Sequence, residues 1–183
     1  MTDPRRTLKV APVLAITLGT VALAARPPGT TAGLSIILAV GLAGLVIPLQ
    51  TRPATSSLTS AFRPKALLVV AIGVAAFALA RLLHAPPRAP ALLPSVVATV
   101  LAALAEEAFF RRLVYGWLSQ WGALLAIVGA ATIFGAVHIS GYGSAALPVN
   151  LAVGLLFGWQ RWATNGWGAP AATHAVANLL QIR

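Results

Sequence analysis

Long apolar runs separated by short polar breaks are the feature that most constrains the fold of this chain. There are seven such runs in 183 residues, at 10–25, 32–49, 66–83, 93–118, 122–139, 145–159 and 170–180. A helix needs roughly 20 apolar residues to cross the hydrocarbon core of a bilayer. Only 9% of the residues are charged, whereas soluble domains have about 25%. The sequence therefore predicts an all-α, polytopic integral membrane bundle of about six or seven transmembrane helices, and it excludes a soluble globular domain, a disordered chain and a coiled coil.

The chain is expected to form a single membrane domain with two parts. Residues 1–92 hold the first three runs with their loops, and residues 93–183 hold the other four as a helical core. Residues 1–25 also fit a cleaved signal peptide, because a basic head precedes an apolar run. We favour a retained first span, since apolar runs continue through the rest of the chain. Polar residues predict the main loops at 51–65, 81–90, 140–144 and 161–168.

The charges are strongly unbalanced, with 13 Lys and Arg against 3 Asp and Glu. The basic residues are scattered between apolar runs, as in membrane proteins, and do not form the clustered patch of nucleic-acid binders. Nine of them fall on the side of the N-terminus and four on the other, which predicts a cytoplasmic N-terminus in the cell membrane. The partners expected are the lipid bilayer and a membrane-associated protein or peptide, without nucleic acid. The Arg- and Ala-rich, Lys-poor composition indicates a bacterial source.

Two adjacent acids, Glu106 and Glu107, lie inside the fourth run. A carboxylate in mid-span costs roughly 2.5–3.5 kcal/mol on insertion scales, so an intramembrane acid is a functional candidate. Glu107 and Arg111 have the i,i+4 spacing and the orientation that favour a salt bridge. Arg111 is therefore expected to neutralise Glu107 as structural support. The alternative is that both acids pair with Arg111 and Arg112 for structure alone, although Arg112 is also compatible with a position facing the interface.

Glu106 is expected to do chemistry instead. Its i+3 and i+4 neighbours are Phe109 and Phe110, so it lacks a cation on its own face of the helix. A carboxylate beside apolar groups takes up a proton readily and is suited to act as a general base.

The chain has three histidines, and two of them, with Asn150, Asn178 and the two glutamates, are nearly all the strongly polar side chains inside the last four runs. His84 is interpreted as a solvated loop residue. His138 ends the fifth run, and His174 shares one helix face with Asn178, four residues later. Asn150 is expected to form a hydrogen bond between helices. Because polar groups in lipid must find one another, we expect one converged site that contains Glu106, His138, His174 and Asn178.

Such a site offers a base, a partner for a water molecule and hydrogen-bond donors for an oxyanion. The absence of cysteine excludes thiol catalysis, and the absence of an intramembrane aspartate excludes an aspartyl dyad or a Ser/His/Asp triad. Two histidines and one glutamate also form a known zinc ligand set. A zinc ion held by Glu106, His138 and His174 therefore stays open beside metal-free water activation.

Three motifs on separate runs occur in a defined order. They are Glu106-Glu107-x-x-x-Arg111, Phe134-x-x-x-His138 and His174-x-x-x-Asn178. Residues 93–182 resemble the CPBP family of intramembrane proteases, which includes the eukaryotic CAAX prenyl endopeptidase and bacterial abortive-infection proteins.

The resemblance implies an all-helical core and an intramembrane endopeptidase of the glutamate type. It implies that Glu106 with His138 activates the hydrolytic water and that His174 with Asn178 forms the oxyanion site, while Glu107 supports the helix. It favours chemistry without a metal cofactor. The alternatives are a zinc-dependent protease, a processing enzyme for C-terminal sorting signals, a non-catalytic immunity or scaffold protein, and a small proton-coupled transporter.

The depths of the three candidate residues disagree in a straight-helix picture. The five tryptophans, Trp117, Trp121, Trp159, Trp162 and Trp167, are predicted to lie at one side of the last four spans. At about 1.5 Å per residue from that side, Glu106 lies about 16 Å, His138 about 25 Å and His174 about 10 Å deep. Tilt, a kink or different helix starts must close this gap if the residues meet.

Overall fold

The computed structural model describes residues 4–49, 64–83 and 93–182, and the side chains of these residues apart from 4–9 and 93–94. The predicted all-α bundle is confirmed. The α-helices are α1 Pro4–Ala25, α2 Thr31–Val46, α3 Pro64–Leu83, α4 Leu93–Glu107, α5 Tyr115–Leu118, α6 Ala123–Tyr142, α7 Leu147–Thr164 and α8 Gly168–Leu179. A π-helical segment, Ala108–Val114, joins α4 to α5 without a break. Short 3₁₀ turns at Ser119–Trp121 and Ser144–Ala146 precede α6 and α7.

Helices α3 and α6, at 20 residues each, are long and apolar enough to cross a membrane. The apolar segments Val10–Ala25 and Thr31–Val46 are shorter. The predicted number of transmembrane helices and the division at residue 92 stay predictions.

The ends of α2 and α3 follow from proline and from a capping threonine. At the start of α2, the Thr30 side chain accepts a hydrogen bond from the Gly33 N–H at 3.0 Å, as an N-cap does. The helix ends at Val46, three residues before the predicted end at residue 49, because Ile47 precedes a proline and adopts an extended ψ of 122°. The predicted loop to residue 65 is too long, since Pro64 begins α3 in the first-turn position that proline favours.

Two other loop predictions are also too long. Helix α6 continues to Tyr142 and stops at Gly143, whose φ of 77° suits glycine. Helix α7 continues past the predicted end at residue 159 and stops at Asn165, which is left-handed with φ 55°. Residues 161–164 were predicted as part of a loop, but they are helical, and Arg161 and Thr164 among them are buried. Of the loop predicted at 81–90, residues 81–83 belong to α3. His84 and the other residues of that loop lie outside the described residues, as do residues 51–63.

Small residues let α2 approach the end of α4 at backbone distance. A Cβ placed on Gly44 would lie 2.6 Å from the carbonyl oxygen of Ala108, and one on Gly41 would lie 2.5 Å from the Cβ of Ala105. Close backbone contact through small residues is the usual packing of membrane helices. The chain on both sides of the glutamate pair is therefore held directly against α2.

Gly44→Ala tests this contact, because alanine is otherwise the better helix former. We expect a loss of stability of about 1–3 kcal/mol, as in overpacked cores, seen as a lower thermal unfolding midpoint in detergent micelles. Gly141→Ala is the matched control, since a Cβ there would meet only an ordinary contact at 3.7 Å. Equal midpoints for the two variants would contradict the close packing.

Candidate active site

Three helices bring the predicted polar residues together. Glu106 comes from the end of α4, His138 from α6 and His174 from α8, and all three are buried. The Nε2 atoms of His138 and His174 both lie 3.9 Å from Oε2 of Glu106. The predicted convergence is therefore seen, and the gap expected for straight helices is closed in the folded chain.

Glu107, the next residue along the chain, is completely buried. Its Oε1 accepts one hydrogen bond from Nη1 of Arg111 at 3.1 Å and another from Nδ1 of His174 at 2.9 Å. The predicted pairing of Glu107 with Arg111 is confirmed as a contact, and the same oxygen also binds His174, which was not predicted. Because a carboxylate accepts, Nδ1 of His174 carries a proton, and Nε2 on the other side of the ring faces Glu106.

His138 is oriented by its own helix. Its Nδ1–H donates to the carbonyl oxygen of Phe134, one turn earlier, at 2.7 Å. Its Nε2 is therefore an acceptor that faces the carboxylate of Glu106. The Phe134-x-x-x-His138 spacing thus has a direct structural meaning, since residues four apart lie over one another on a helix.

Arg111 is a fully buried cation with several partners. Besides Glu107, its Nη2 donates to the carbonyl oxygen of Gly154 at 3.2 Å. Its guanidinium carbon lies 4.7 Å from the ring centre of Phe134 and 5.1 Å from that of Phe157. A carboxylate, a carbonyl and aromatic faces together offset the cost of burying this charge.

The π-helical segment Ala108–Val114 begins immediately after the glutamate pair. Such segments are rare and frequently occur at functional sites, and their i→i+5 pattern disturbs the regular pairing of carbonyl groups. Here the carbonyl oxygen of Arg111 accepts a hydrogen bond from Nε of the buried Arg161 on α7 at 3.1 Å. The hydrophobic pattern does not show the segment, because that pattern reports which side of a helix is apolar and not how its turns are bonded.

Arg112 does not pair with either glutamate and does not simply face the interface. Its Nη1 donates to the carbonyl oxygens of Gly44 and Ile47 at the end of α2. Cations favour this position because the last carbonyl groups of a helix are unpaired and carry partial negative charge. The alternative that both acids pair with both arginines is therefore wrong.

The cluster forms part of the wall of a cavity of about 840 Å³. Glu106, His138, His174 and the half-buried Asn178 line it, so the four predicted site residues share one space. Asn150 also lines it, but its Nδ2 donates to the carbonyl of Ala146 in the preceding turn at 3.1 Å. The hydrogen bond that we expected Asn150 to form between helices is not the one observed.

Two further residues near the site, Arg26 and Gln160, were not predicted from the sequence. Nη2 of Arg26, which follows α1, lies 3.6 Å from Oε1 of Glu106. Gln160 is fully buried, and its Nε2 donates to the carbonyl of Val69 and to Oγ1 of Thr173, joining α7 to α3 and α8. Arg26 was predicted to lie in the break after the first run, and Gln160 falls between the predicted sixth run and the loop predicted to follow it. Nothing in the sequence pairs Arg26 with Glu106 across 80 positions.

The arrangement of the histidine and acidic side chains bears on whether the site could hold a metal ion. Among the residues that the structure describes, no group of three or more His, Cys, Asp or Glu side chains is arranged to hold a metal ion. Glu106, His138 and His174 converge on one cavity but are not placed as such a set.

The fold and site define a class: an all-helical bundle with apolar, span-length helices and a buried cluster of glutamate and histidine. The model of the family described as "Type II CAAX prenyl endopeptidase Rce1-like" matches residues 87–180, slightly more than half of the 183 residues. The chain belongs to this family of membrane-embedded endopeptidases and is a protease by that membership. No curated protein and no solved structure matches it.

The contact between Glu107 and Arg111 can be tested by a double-mutant cycle. Arg111→Met should cost about 3–5 kcal/mol of folding stability, because it leaves a buried carboxylate without its cation. Adding Glu107→Gln should restore part of this loss, since the uncompensated charge is removed. Chemical unfolding in detergent micelles measures all four proteins, and strictly additive losses would show that the two groups do not interact.

Proposed function

We propose that the chain is an intramembrane endopeptidase that hydrolyses a peptide bond in a membrane-associated protein or peptide, with water activated by Glu106 and His138. One observation carries this proposal: a single oxygen of Glu106, Oε2, faces Nε2 of both histidines at 3.9 Å. These distances are too long for direct hydrogen bonds. They are suited to a water molecule between the groups.

The orientation of His138 supports the first step. Its Nδ1 is engaged by the Phe134 carbonyl, so its Nε2 accepts a hydrogen bond from the water and orients it. Glu106 removes the other proton of the water as the oxygen attacks the carbonyl carbon of the substrate. This forms a tetrahedral intermediate whose former carbonyl oxygen carries the negative charge. Glu106 then transfers its proton to the leaving nitrogen as the C–N bond breaks.

His174 and Asn178 are the proposed donors to the oxyanion. A protonated His174 donates from Nε2 while its Nδ1–H remains bonded to Glu107, whose charge compensates the ring, as the buried carboxylate does in a Ser-His-Asp triad. The side-chain amide of Asn178 lines the same cavity. Donors aimed at a developing charge in a site that excludes bulk water are usually the largest catalytic contribution.

The cavity supports a peptide substrate with apolar side chains. Its volume of about 840 Å³ lies within the range of sites that enclose small ligands. Ile37, Val149 and Val153 line it beside the polar groups. A peptide segment would bring apolar side chains against these residues and its carbonyl group towards Glu106. Cleavage of a C-terminal sorting signal is one form of this activity, and the cytoplasmic side of the cell membrane is the proposed location of the N-terminus.

Glu106→Gln tests the proposal. We expect cleavage to fall by about 10²–10⁴-fold, the usual contribution of a general base, with the protein still present in the membrane. Membranes from cells that express each protein at matched levels are compared by mapping new protein termini. Gln120→Glu, the reverse isosteric change at an exposed position, is the matched control. New termini present with wild type and control but absent with Glu106→Gln support the protease. Their absence with a folded wild type supports a non-catalytic membrane protein.

Metal removal separates the two protease mechanisms. We expect the purified wild-type protein to retain its cleavage rate within about twofold after treatment with 1,10-phenanthroline, because the proposed steps use protein groups and water alone. The rate is followed with a peptide that spans the mapped cleavage site. Loss of activity that zinc restores would overturn this mechanism and make the three converging residues zinc ligands.

A further inference from the structure

Arg26 reaches the site from outside the segment that the family model matches, residues 87–180. It lies between α1 and α2, at the end of the first helix. Its Nη2 is 3.6 Å from Oε1 of Glu106, and its Nη1 donates to the carbonyl oxygen of Leu23 at 2.6 Å. The guanidinium therefore bridges the end of α1 and the glutamate.

The segment that carries Arg26 is held in place by its own contacts. Pro27 and Pro28 follow directly and restrict the backbone. The Thr30 hydroxyl donates to the carbonyl oxygen of Pro27 at 3.0 Å and also caps α2. On the other side, Leu23 is only 1% exposed and belongs to the main hydrophobic core. Arg26 thus has a defined position relative to the bundle.

The two oxygens of the Glu106 carboxylate have different neighbours. Oε1 faces Arg26, and Oε2 faces the two imidazole nitrogens. A carboxylate that is attracted at one oxygen cannot rotate freely about its terminal bond. The cation at Oε1 therefore presents Oε2 to the histidines.

The other cations that the structure describes near the site are already engaged. Arg111 is bonded to Glu107 and Arg112 to the end of α2. Among the lysines and arginines that the structure describes, Arg26 is the one that lies within ion-pair distance of Glu106. A positive charge from the N-terminal half of the chain thus lies beside the carboxylate of Glu106, which belongs to the segment that the family model matches.

We propose that Arg26 is a positioning residue that orients the Glu106 carboxylate for water activation, so that the N-terminal half of the chain completes the active site. This inference rests on the proposed function. It also requires that α1 is retained, because the carbonyl group that holds Arg26 belongs to Leu23.

The test compares kcat and KM for wild type, Arg26→Ala, Arg26→Gln and Arg26→Lys in detergent micelles. The probe is a quenched fluorescent peptide that spans the cleavage site mapped with wild-type membranes. We expect kcat of the alanine and glutamine variants to fall by about 10- to 100-fold, since small misplacements of reacting groups cost this much. KM should change little. Arg26→Lys should retain more activity because it keeps the charge, and the exposed Lys65→Ala is the matched control.

Chemical rescue separates positioning from a purely structural role. Added guanidinium chloride, at concentrations that leave wild type folded, should raise kcat of Arg26→Ala several-fold and should not raise that of Lys65→Ala. A folded Arg26→Ala or Arg26→Gln protein with wild-type kcat would overturn the inference, as would reduced activity that neither lysine nor guanidinium restores.

A stability cycle keeps the inference testable without turnover. Arg26→Gln and Glu106→Gln should give non-additive changes in unfolding midpoint, whereas Lys65→Ala and Glu106→Gln should add. Additive changes in both cycles would overturn the ion pair. If the wild type cleaves no peptide but the first cycle is coupled, then the proposed protease activity fails while the contact stands. An intact mass that accounts for the residues of α1 shows that this helix is retained, whereas a mature chain that begins after Leu23 contradicts the inference.

Discussion

The buried carboxylate of Glu107 is the interaction on which the site depends. One oxygen joins Arg111 of the π-helical segment to His174 of α8. A buried charge without a partner costs several kcal/mol, so these three groups must stay together. Arg111 is also bound to the carbonyl of Gly154 on α7 and lies against phenylalanine rings of α6 and α7. The pairing of one acid therefore ties together the π-helical segment, α6, α7 and α8, and the last three of these line the cavity.

Glu106 and Glu107 show how neighbouring carboxylates acquire different roles. They are adjacent in sequence and point in different directions, because each residue turns a helix by about 100°. Glu107 is completely buried and is bonded through one oxygen to Arg111 and His174, whereas Glu106 faces the cavity, two histidines and Arg26. Different environments for two acids are the general means by which proteins separate a structural or charged role from acid–base work.

The type of fold and the interior of the helices could be predicted, but several helix ends could not. Long apolar runs require helices in a bilayer, because each backbone polar group must be paired inside its own segment. Where a helix ends depends on smaller differences in free energy, such as whether a polar side chain bonds to water or to protein. Residues 161–168 were predicted as a loop, yet Arg161 and the preceding Gln160 are buried in α7, because they donate to backbone groups of other helical segments. A polar side chain indicates the need for a partner and does not reveal whether that partner is water or protein.

The sequence by itself determined which polar residues the helices carry and which of them lie one turn apart. The pairs Glu107–Arg111 and Phe134–His138 follow from helical geometry alone, because their contacts are local. Only the tertiary structure decided that Glu107 also binds His174, that the chain after it is π-helical, and that Arg26 faces Glu106. These contacts join residues distant in sequence, and they depend on how closely the helices pack, which small residues on α2 and α7 permit.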